Sequence, residues 1–340
     1  MKPLRVGVIG AGAFASRRHL PALQNDPRVS LTAACRRDPG ALARVADHFG
    51  IPERFNDWRE MLGRADLDGV LIATPHDQHA LQARAALERG LHVLLEKPMA
   101  LTVAEAQDLV TLAQANARCL LVAFNPPYWG HMHVLRDSLQ AGRIGRVESA
   151  ALHWSGSTAA VFGKEPLPEG MPGVVRPTLF RADVAAAGGG NLMDGGGHLL
   201  SELLWATGAE PAEVCALMDH APGDTRAAVT VRLEGDLLAT VSLVSDSRYP
   251  ERRLWSRYEG TAGSLTITGM PFRVTWQGPG GPVELGDAPP DVPSPAQDWV
   301  DCIGSGGTPL GSAEHGVRVT RVLTAAYESA VTGRRVILRD

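Results

Sequence analysis

The chain has 340 residues, a length that favours two domains of about 150 residues over one large core. Apolar residues make up 44% and charged residues 21%, which is typical of a folded globular protein and excludes a low-complexity chain. The formal net charge of −4 argues against nucleic acid or an anionic membrane surface as a partner, so small molecules are the expected ligands.

The sequence has neither a transmembrane pattern nor a cysteine motif. No window approaches about 18 uninterrupted apolar residues, and the N-terminus runs directly into a strand pattern. The four cysteines are far apart, and no pair has the spacing of a zinc site. We therefore expect reduced thiols, a cytoplasmic protein without a membrane anchor, and no metal site. The cysteines are Cys35, Cys119, Cys215 and Cys302.

The first predicted element is a strand over residues 4–9, followed by a glycine-rich turn over residues 10–15. This turn reads G-x-G-x-x-A, a variant of the dinucleotide-binding fingerprint, which needs a strand before it and a helix after it. Gly10 would form the tight turn, Gly12 would let the backbone approach a pyrophosphate, and Ala15 would let the helix pack closely. The predicted cofactor contacts in this turn are Gly10, Gly12, Ala13 and Phe14.

Strand-like and helix-like segments continue to alternate through the first 125 residues. After the last but one strand, Thr102 and Glu105 form a predicted capping box that opens a crossover helix. The alternation predicts a parallel sheet that binds its ligand at the carboxyl ends of the strands. We expect a doubly wound, parallel Rossmann domain of the α/β class over residues 1–124. The further strands are predicted over residues 29–35, 68–73, 91–95 and 118–123.

The end of the second strand bears on the choice of cofactor, because an acidic residue there would bond to the adenosine ribose. Arg36 and Arg37 stand at this point, and Asp38 follows. Two guanidinium groups could pair with a 2′-phosphate, which favours NADP(H) over NAD(H). The alternative is that one arginine stacks on adenine and the other is solvated, which would make both cofactors usable.

Four motifs together carry a resemblance to a known family. The chain resembles the glucose-fructose oxidoreductase, inositol dehydrogenase and rhizopine-catabolism (Gfo/Idh/MocA) oxidoreductases over nearly its whole length. The resemblance implies a cis bond between Lys97 and Pro98 and further cofactor contacts. The motifs are G-x-G-x-x-A, Ala73-Thr74-Pro75, Glu96-Lys97-Pro98 and the block from Gly188 through Asp194 to His198. The further cofactor contacts are Thr74, Pro75, His79, Glu96 and Lys97.

By this resemblance Lys97, Asp194 and His198 form the catalytic set. Asp194 and His198 are four residues apart, so on a helix they share one face and the carboxylate could orient the imidazole. Removing a hydride from a carbinol carbon requires the hydroxyl to lose its proton, so a base and a cation beside the developing alkoxide are needed. His198 would be the base and Lys97 the cation. Out of this context, the same spacing is typical of a capped helix with a solvated histidine.

From about residue 125 the pattern changes to a series of strands, with no helix-length segment between residues 213 and 269. This predicts a C-terminal α+β domain over residues 125–340 with a large, mostly antiparallel open sheet. One face of such a sheet needs a cover, and the resemblance implies a homodimer or homotetramer formed through it. Strands are predicted over residues 147–154, 213–220, 226–234, 237–245, 252–259 and 264–269, and a helix over residues 313–332.

The substrate is less closely specified. Tyr128, Trp154 and Arg181 are candidates to line its pocket, although Trp154 is equally consistent with core or interface packing. Pro126 stands where many relatives have Arg, and Ser201 where many have Asp, so the substrate's identity is open.

We expect hydride transfer between a nicotinamide cofactor and a sugar, cyclitol or related polyol. One alternative is a redox-neutral glycosidase that retains its nicotinamide through the reaction. The other is a non-enzymatic regulator that senses NAD(P).

Overall fold

The structure is a computed structural model that describes residues 2–162, 173–249, 252–269, 271–286 and 292–338. In chain order the strands are β1 (Leu4–Ile9), β2 (Val29–Cys35), β3 (Glu53–Phe55), β4 (Gly69–Ile72), β5 (His92–Leu95), β6 (Leu120–Val122), β7 (Val147–Ser155), β8 (Pro211–Met218), β9 (Arg226–Leu233), β10 (Leu238–Val244), β11 (Arg253–Gly260), β12 (Gly263–Thr268), β13 (Arg273–Gly278), β14 (Gly281–Leu285) and β15 (Val336–Ile337).

The α-helices are α1 (Leu20–Gln24), α2 (Pro39–Phe49), α3 (Trp58–Arg64), α4 (His76–Glu88), α5 (Val103–Ala115), α6 (Gly130–Gln140), α7 (Val184–Ala187), α8 (Gly197–Thr207), α9 (Pro295–Ser305) and α10 (Ala313–Thr332). Two π-helical turns occur at Ala15–His19 and Leu192–Gly196. Short 3₁₀ turns occur at Pro126–Tyr128, Phe180–Ala182 and Glu234–Asp236.

The contacts divide the chain into two compact units. Unit 1 comprises Met1–Ala123, Ala160–Ala187 and Pro293–Gly316, and unit 2 comprises Phe124–Ala159, Gly188–Val292 and Val317–Asp340. Unit 1 therefore includes two segments that follow the expected domain boundary at residue 124. One reason is visible at the sheet edge, where the Val122 N–H donates to the carbonyl of Gly311 at 2.8 Å.

Unit 1 contains a six-stranded parallel sheet in the order β3-β2-β1-β4-β5-β6, which confirms the expected doubly wound Rossmann class. Strand β4 is apolar and buried throughout, as expected of a central strand covered on both faces. Thr102 and Glu105 form the predicted capping box at the start of α5. Strand β3 was missed by the sequence analysis because three residues carry too little periodic signal.

Unit 2 contains a nine-stranded sheet in the order β14-β13-β12-β11-β7-β10-β9-β8-β15. Every pairing is antiparallel except that between β7 and β10, which is parallel, so the expectation of a mostly antiparallel sheet is confirmed. Strands β13, β14 and β15 were not predicted. Helix α10 occupies the predicted residues, and Val319, Val322, Leu323 and Ala326 of its apolar stripe are buried.

The two faces of this sheet differ in what covers them. Residues alternate along β9, where Ala227, Val229 and Val231 are buried and their neighbours are exposed. On the buried side, helix α10 reaches the sheet through Ser329, whose hydroxyl accepts the Ala216 N–H at 2.9 Å. No helix among the described residues has the length and apolar character needed to cross a membrane.

Candidate active site

The carboxyl ends of four strands of unit 1 lie side by side. The register pairs Ile9 with Cys35 and with Ile72, and Ile72 with Leu95, so the turns that follow these residues share one edge of the sheet. This is the edge at which open α/β sheets bind their ligands. All three unit 1 motifs that carry the family resemblance begin there.

Gly10 occupies the tight turn after β1. Its φ is +87°, and a Cβ there would lie 2.6 Å from the carbonyl oxygen of Ala73, so any larger residue would clash with backbone. The N–H groups of Gly10 and Ala11 both donate to the Cys35 carbonyl, at 3.0 and 3.1 Å. Gly10 thus serves the geometry of the turn.

Arg36 lies against the same turn. Its Nη1 donates to the Ala11 carbonyl at 3.2 Å, and a Cβ on Gly12 would lie 3.0 Å from that nitrogen. Its Nε is buried without a hydrogen-bond partner among the described residues, and burial lowers the pKa of the guanidinium. Arg37 is exposed. Asp38 caps helix α2 by accepting the Ala41 N–H, so its carboxylate has a structural partner.

The next two residues of the turn, Ala13 and Phe14, are half-buried. The Phe14 ring lies 5.9 Å from that of His19, which ends the π-helical turn. The missing Cβ at Gly12 and the glycine and alanine residues of the turn fit a dinucleotide whose pyrophosphate approaches the backbone.

Lys97 is the second residue after β5 and is held in a buried turn with a cis bond to Pro98, as the resemblance implies. Before it, Glu96 lies 2.6 Å from His19 Nε2, and the other carboxylate oxygen accepts the Lys97 N–H at 3.2 Å. Burial would raise the pKa of Glu96, but the bond to His19 and the positive charges of His19 and Lys97 lower it below its ordinary value. Glu96 is therefore an ionised group inside unit 1.

His79 connects the Ala-Thr-Pro and Glu-Lys-Pro turns. Its ring nitrogens lie 2.7 Å from the Pro98 carbonyl and 3.0 Å from the Thr74 carbonyl, and the side chain is fully buried. Burial lowers the pKa of the ring, although both carbonyl contacts oppose this. The Thr74 hydroxyl donates to Gln82 at 2.7 Å, and Pro75 precedes α4. A cofactor contact by His79 would therefore be indirect, through the turns that it joins.

Asp194 and His198 lie where a π-helical turn runs into α8 in unit 2. Asp194 belongs to the π-helical turn and His198 to the first turn of α8, and both residues are half-buried. The His198 ring meets Phe124 edge to face at 6.2 Å, and the Asn125 N–H points to its Nδ1 at 3.4 Å. The Phe124-Asn125 pair thus helps to orient the imidazole.

The three candidate substrate residues fall in different places. Tyr128 is half-buried and ends the 3₁₀ turn of unit 2. Trp154 is paired with Leu243 at the end of β7, so it lies on the helix-covered face of the sheet. Arg181 belongs to unit 1, where it stacks 4.6 Å from the centre of the Phe180 ring.

Several residues of these sites were missed by the sequence analysis: His19 and Gln82 in unit 1, and Asp224 and Tyr327 in unit 2. None stands in a local motif. The described part of the chain contains no group of three or more His, Cys, Asp or Glu side chains that could hold a metal ion.

Comparison with known proteins gives two matches to one family. Residues 4–124 match the model of the oxidoreductase family with an NAD-binding Rossmann fold, and residues 132–266 match the GFO/IDH/MocA C-terminal domain. Together the two matches span most of the chain.

Several of the relatives are sugar oxidoreductases by name. A dTDP-3,4-didehydro-2,6-dideoxy-alpha-D-glucose 3-reductase of Saccharopolyspora spinosa is 34% identical over 57% of this chain. The chain covers only 53% to 60% of the length of this and two similar reductases. A D-xylose 1-dehydrogenase (NADP(+)) of Haloferax volcanii is 28% identical, and the match covers 98% of this chain and 99% of that protein.

The fold of the whole chain is also found in solved structures. An oxidoreductase domain protein from Kribbella flavida superposes with a TM-score of 0.85 at 24% identity, with each chain fully covered. At 24% identity this match shows that the two chains share a fold.

Proposed function

The chain belongs to the Gfo/Idh/MocA oxidoreductase family, and on this premise we propose that it transfers a hydride between NADP(H) and a hydroxyl-bearing carbon of a sugar, cyclitol or related polyol. The observation that carries the proposal is the presence of both halves of the required chemistry: a buried, anchored Lys97 turn in unit 1 and the Asp194–His198 pair on one helical segment in unit 2. The named activities of the relatives support a sugar as substrate.

The roles follow from the chemistry of the groups. His198 accepts the proton of the substrate hydroxyl, and Asp194 orients the imidazole and offsets the positive charge that the ring gains. The ammonium group of Lys97 stabilises the alkoxide as it forms. Glu96 holds the Lys97 backbone, and a bound nicotinamide would supply the hydride acceptor or donor.

NADP(H) is the proposed cofactor because Arg36 stands at the end of β2 with a buried Nε that has no partner among the described residues. A guanidinium with an unused N–H is suited to a 2′-phosphate oxygen. The glycine turn would hold the pyrophosphate, since the missing side chains leave its backbone accessible.

We also propose that the enzyme is a cytoplasmic homodimer or homotetramer. The four free cysteines fit a reducing compartment. The uncovered face of the unit 2 sheet carries Leu217, Leu238 and Trp255, which are 75%, 43% and 40% exposed, and a second copy would cover them. Light scattering should give a multiple of 36.1 kDa, and a monomer at micromolar concentration would contradict this.

The function is tested by following nicotinamide absorbance while the protein is mixed with NADP⁺ or NAD⁺ and a panel of sugars and cyclitols. At least one should be oxidised with release of reduced cofactor. His198→Ala should lower turnover by about 10² to 10⁴ with little change in cofactor affinity, whereas Lys97→Ala should also weaken substrate binding. The control is His220→Ala, which removes an exposed histidine of the same unit.

The other outcomes are equally informative. Full turnover by His198→Ala would show that the proton goes elsewhere and would overturn the mechanism. Cleavage of a glycosidic bond with no net change in absorbance would indicate the redox-neutral glycosidase. Tight cofactor binding without any turnover would indicate a regulator.

A further inference from the structure

The helical segment that carries Asp194 and His198 begins with backbone N–H groups that the helix itself cannot satisfy. Two residues remote in sequence, Asp224 and Tyr327, accept hydrogen bonds from four of them in succession. Gly190 and Met193 donate to Tyr327 Oη at 3.0 and 3.2 Å, Asn191 donates to the Asp224 carbonyl at 2.8 Å, and Leu192 donates to Asp224 Oδ2 at 2.8 Å. We call these two residues the Asp224–Tyr327 clamp.

The two members of the clamp also bond to each other. The Tyr327 hydroxyl donates to Asp224 Oδ1 at 2.6 Å, so the phenol oxygen accepts two N–H groups and donates once. Asp224 is only 1% exposed, and it accepts a hydrogen bond on each carboxylate oxygen, an arrangement that favours the ionised form. Burial raises its pKa, and the bonds from Tyr327 and Leu192 oppose that rise. An anion at this position is also favoured by the N-terminal end of the helix dipole.

The glycine run before Asp194 has a physical reason in the clamp. A Cβ on Gly189 would lie 2.5 Å from Tyr327 Oη, and a Cβ on Gly190 would lie 2.2 Å from the Asp224 carbonyl oxygen. Both residues lack side chains where the clamp approaches the backbone. The close approach of Asp224 and Tyr327 to the backbone therefore requires glycine at positions 189 and 190.

We propose that Asp224 and Tyr327 are positioning residues that set the orientation of Asp194 and His198 for proton transfer. The inference rests on the proposed function. The last clamped N–H belongs to Met193, which directly precedes Asp194, and His198 follows about one helical turn later. A displacement of about 1 Å in reacting groups can cost about 100-fold in rate, so a fixed first turn matters for chemistry more than for cofactor binding.

The test compares Tyr327→Phe with Ser329→Ala. Both residues lie on α10, and both side-chain oxygens accept backbone N–H groups, but Ser329 serves Ala216 of β8. Tyr327→Phe should lower kcat about 10- to 100-fold with the cofactor Kd nearly unchanged, while Ser329→Ala should keep kcat within about twofold. Equal kcat in the two variants at equal melting temperature would overturn the proposal.

A second measurement needs no substrate. The ¹⁵N signals of the His198 ring, assigned by their loss in His198→Gln, should move in Tyr327→Phe and stay in place in Ser329→Ala. If no sugar is turned over, the proposed function fails, and the ring signals alone decide whether the clamp orients His198. Unchanged signals in Tyr327→Phe would show that the clamp supports only the fold.

Gly189→Ala provides an independent variant should Tyr327→Phe fold poorly. It keeps the phenol but pushes the hydroxyl away from the Gly190 and Met193 amides. It should reproduce the kcat loss and the shift of the ring signals, and wild-type values in both would contradict the proposal.

Discussion

Two buried glutamates lie beside the two functional turns, and their surroundings give them different charge. Glu96 precedes Lys97 in unit 1 and lies 2.6 Å from His19, whereas Glu202 lies about one helical turn after His198 in unit 2. Burial raises the pKa of both. The bond to His19 and nearby positive charges reverse this at Glu96, whose pKa is below its ordinary value. Glu202 meets hydroxyl groups only, and its pKa rises to about 7.

The comparison shows that burial alone does not decide whether a carboxyl group is charged, because positively charged partners and N–H donors oppose its effect. In unit 1 the charge of Glu96 is part of the structure that holds Lys97. In unit 2 the carboxyl group with strong donors is Asp224, which accepts hydrogen bonds from the Leu192 N–H and the Tyr327 hydroxyl, and these bonds oppose the rise in its pKa. Glu202 has the Tyr258 hydroxyl at 3.4 Å, a long contact that offers little to an anion.

The largest expected effect is that of Glu96→Gln, which removes the carboxylate that lies 2.6 Å from the buried His19 Nε2. Breaking a buried ion pair by removing one partner costs about 3 to 5 kcal/mol, so the free energy of unfolding at pH 7 should fall by about that amount. Because the folded pKa of Glu96 lies below its ordinary value near 4.5, the wild-type advantage exists above that pH and is lost as the pH falls below it. Urea unfolding at several pH values measures the loss of unfolding free energy at pH 7 and its dependence on pH.

The control for Glu96→Gln is Asp108→Asn. Asp108 pairs with Arg84 at 2.6 Å on the surface of the same unit, where its side chain is 60% exposed. An exposed pair contributes about 0 to 1 kcal/mol, so this variant should change stability little. A loss of similar size in both variants would refute the special role of the buried pair.

For Glu202→Gln, the wild-type advantage in unfolding free energy should change with pH in the direction opposite to that for Glu96→Gln. The folded pKa of Glu202, about 7, lies above the ordinary value near 4.5, so the folded state holds the proton more tightly and wild-type stability declines as the pH rises between these values. Glutamine carries no such proton. The stability of Glu202→Gln relative to wild type should therefore rise by about 3 kcal/mol between about pH 4.5 and pH 7 and above.

The measurement is the free energy of unfolding of wild type, Glu202→Gln and Glu148→Gln as a function of pH, between about pH 4.5 and pH 7. Glu148 is exposed on β7 of the same unit, and its variant should parallel the wild type. Parallel curves for Glu202→Gln as well would mean that folding does not raise the pKa of Glu202.

Local motifs made the fold and part of the site predictable. The strand–turn–helix order around Gly10 and the capping box at Thr102 are written in neighbouring residues, so the Rossmann unit follows from the sequence. The helix over residues 313–332 was visible because its apolar stripe is long. Short strands such as β3 and β15 carry too few residues to show a period.

The supports of the site were not predictable, because their partners are joined only in the folded chain. His19 lies 77 residues from Glu96, and Tyr327 lies 137 residues from Gly190. A single sequence contains no signal that connects such positions. The glycines at residues 189 and 190 indicate that something approaches the backbone, but not which side chain does so.

The smallest expected effect concerns Arg36, a half-buried cation of unit 1. Arg36 donates a hydrogen bond to the Ala11 carbonyl, and its buried Nε has no hydrogen-bond partner among the described residues. A 2′-phosphate would give this guanidinium an anionic acceptor. Arg36→Asp should weaken NADPH binding by about 1 to 3 kcal/mol, the range of a charge-assisted hydrogen bond, and should affect NADH less.

Arg37→Asp separates a specific contact from a general loss of positive charge, because Arg37 is adjacent and exposed. Fluorescence titration of both variants with NADPH and NADH should show the larger loss of affinity in Arg36→Asp, and in that variant a larger loss for NADPH than for NADH. If wild type binds the two cofactors equally and Arg36→Asp changes neither, Arg36 serves the glycine turn alone. The comparison of Glu96 with Glu202 would then not extend to Arg36, whose burial lowers its pKa although the negative charge of Asp38 opposes that change.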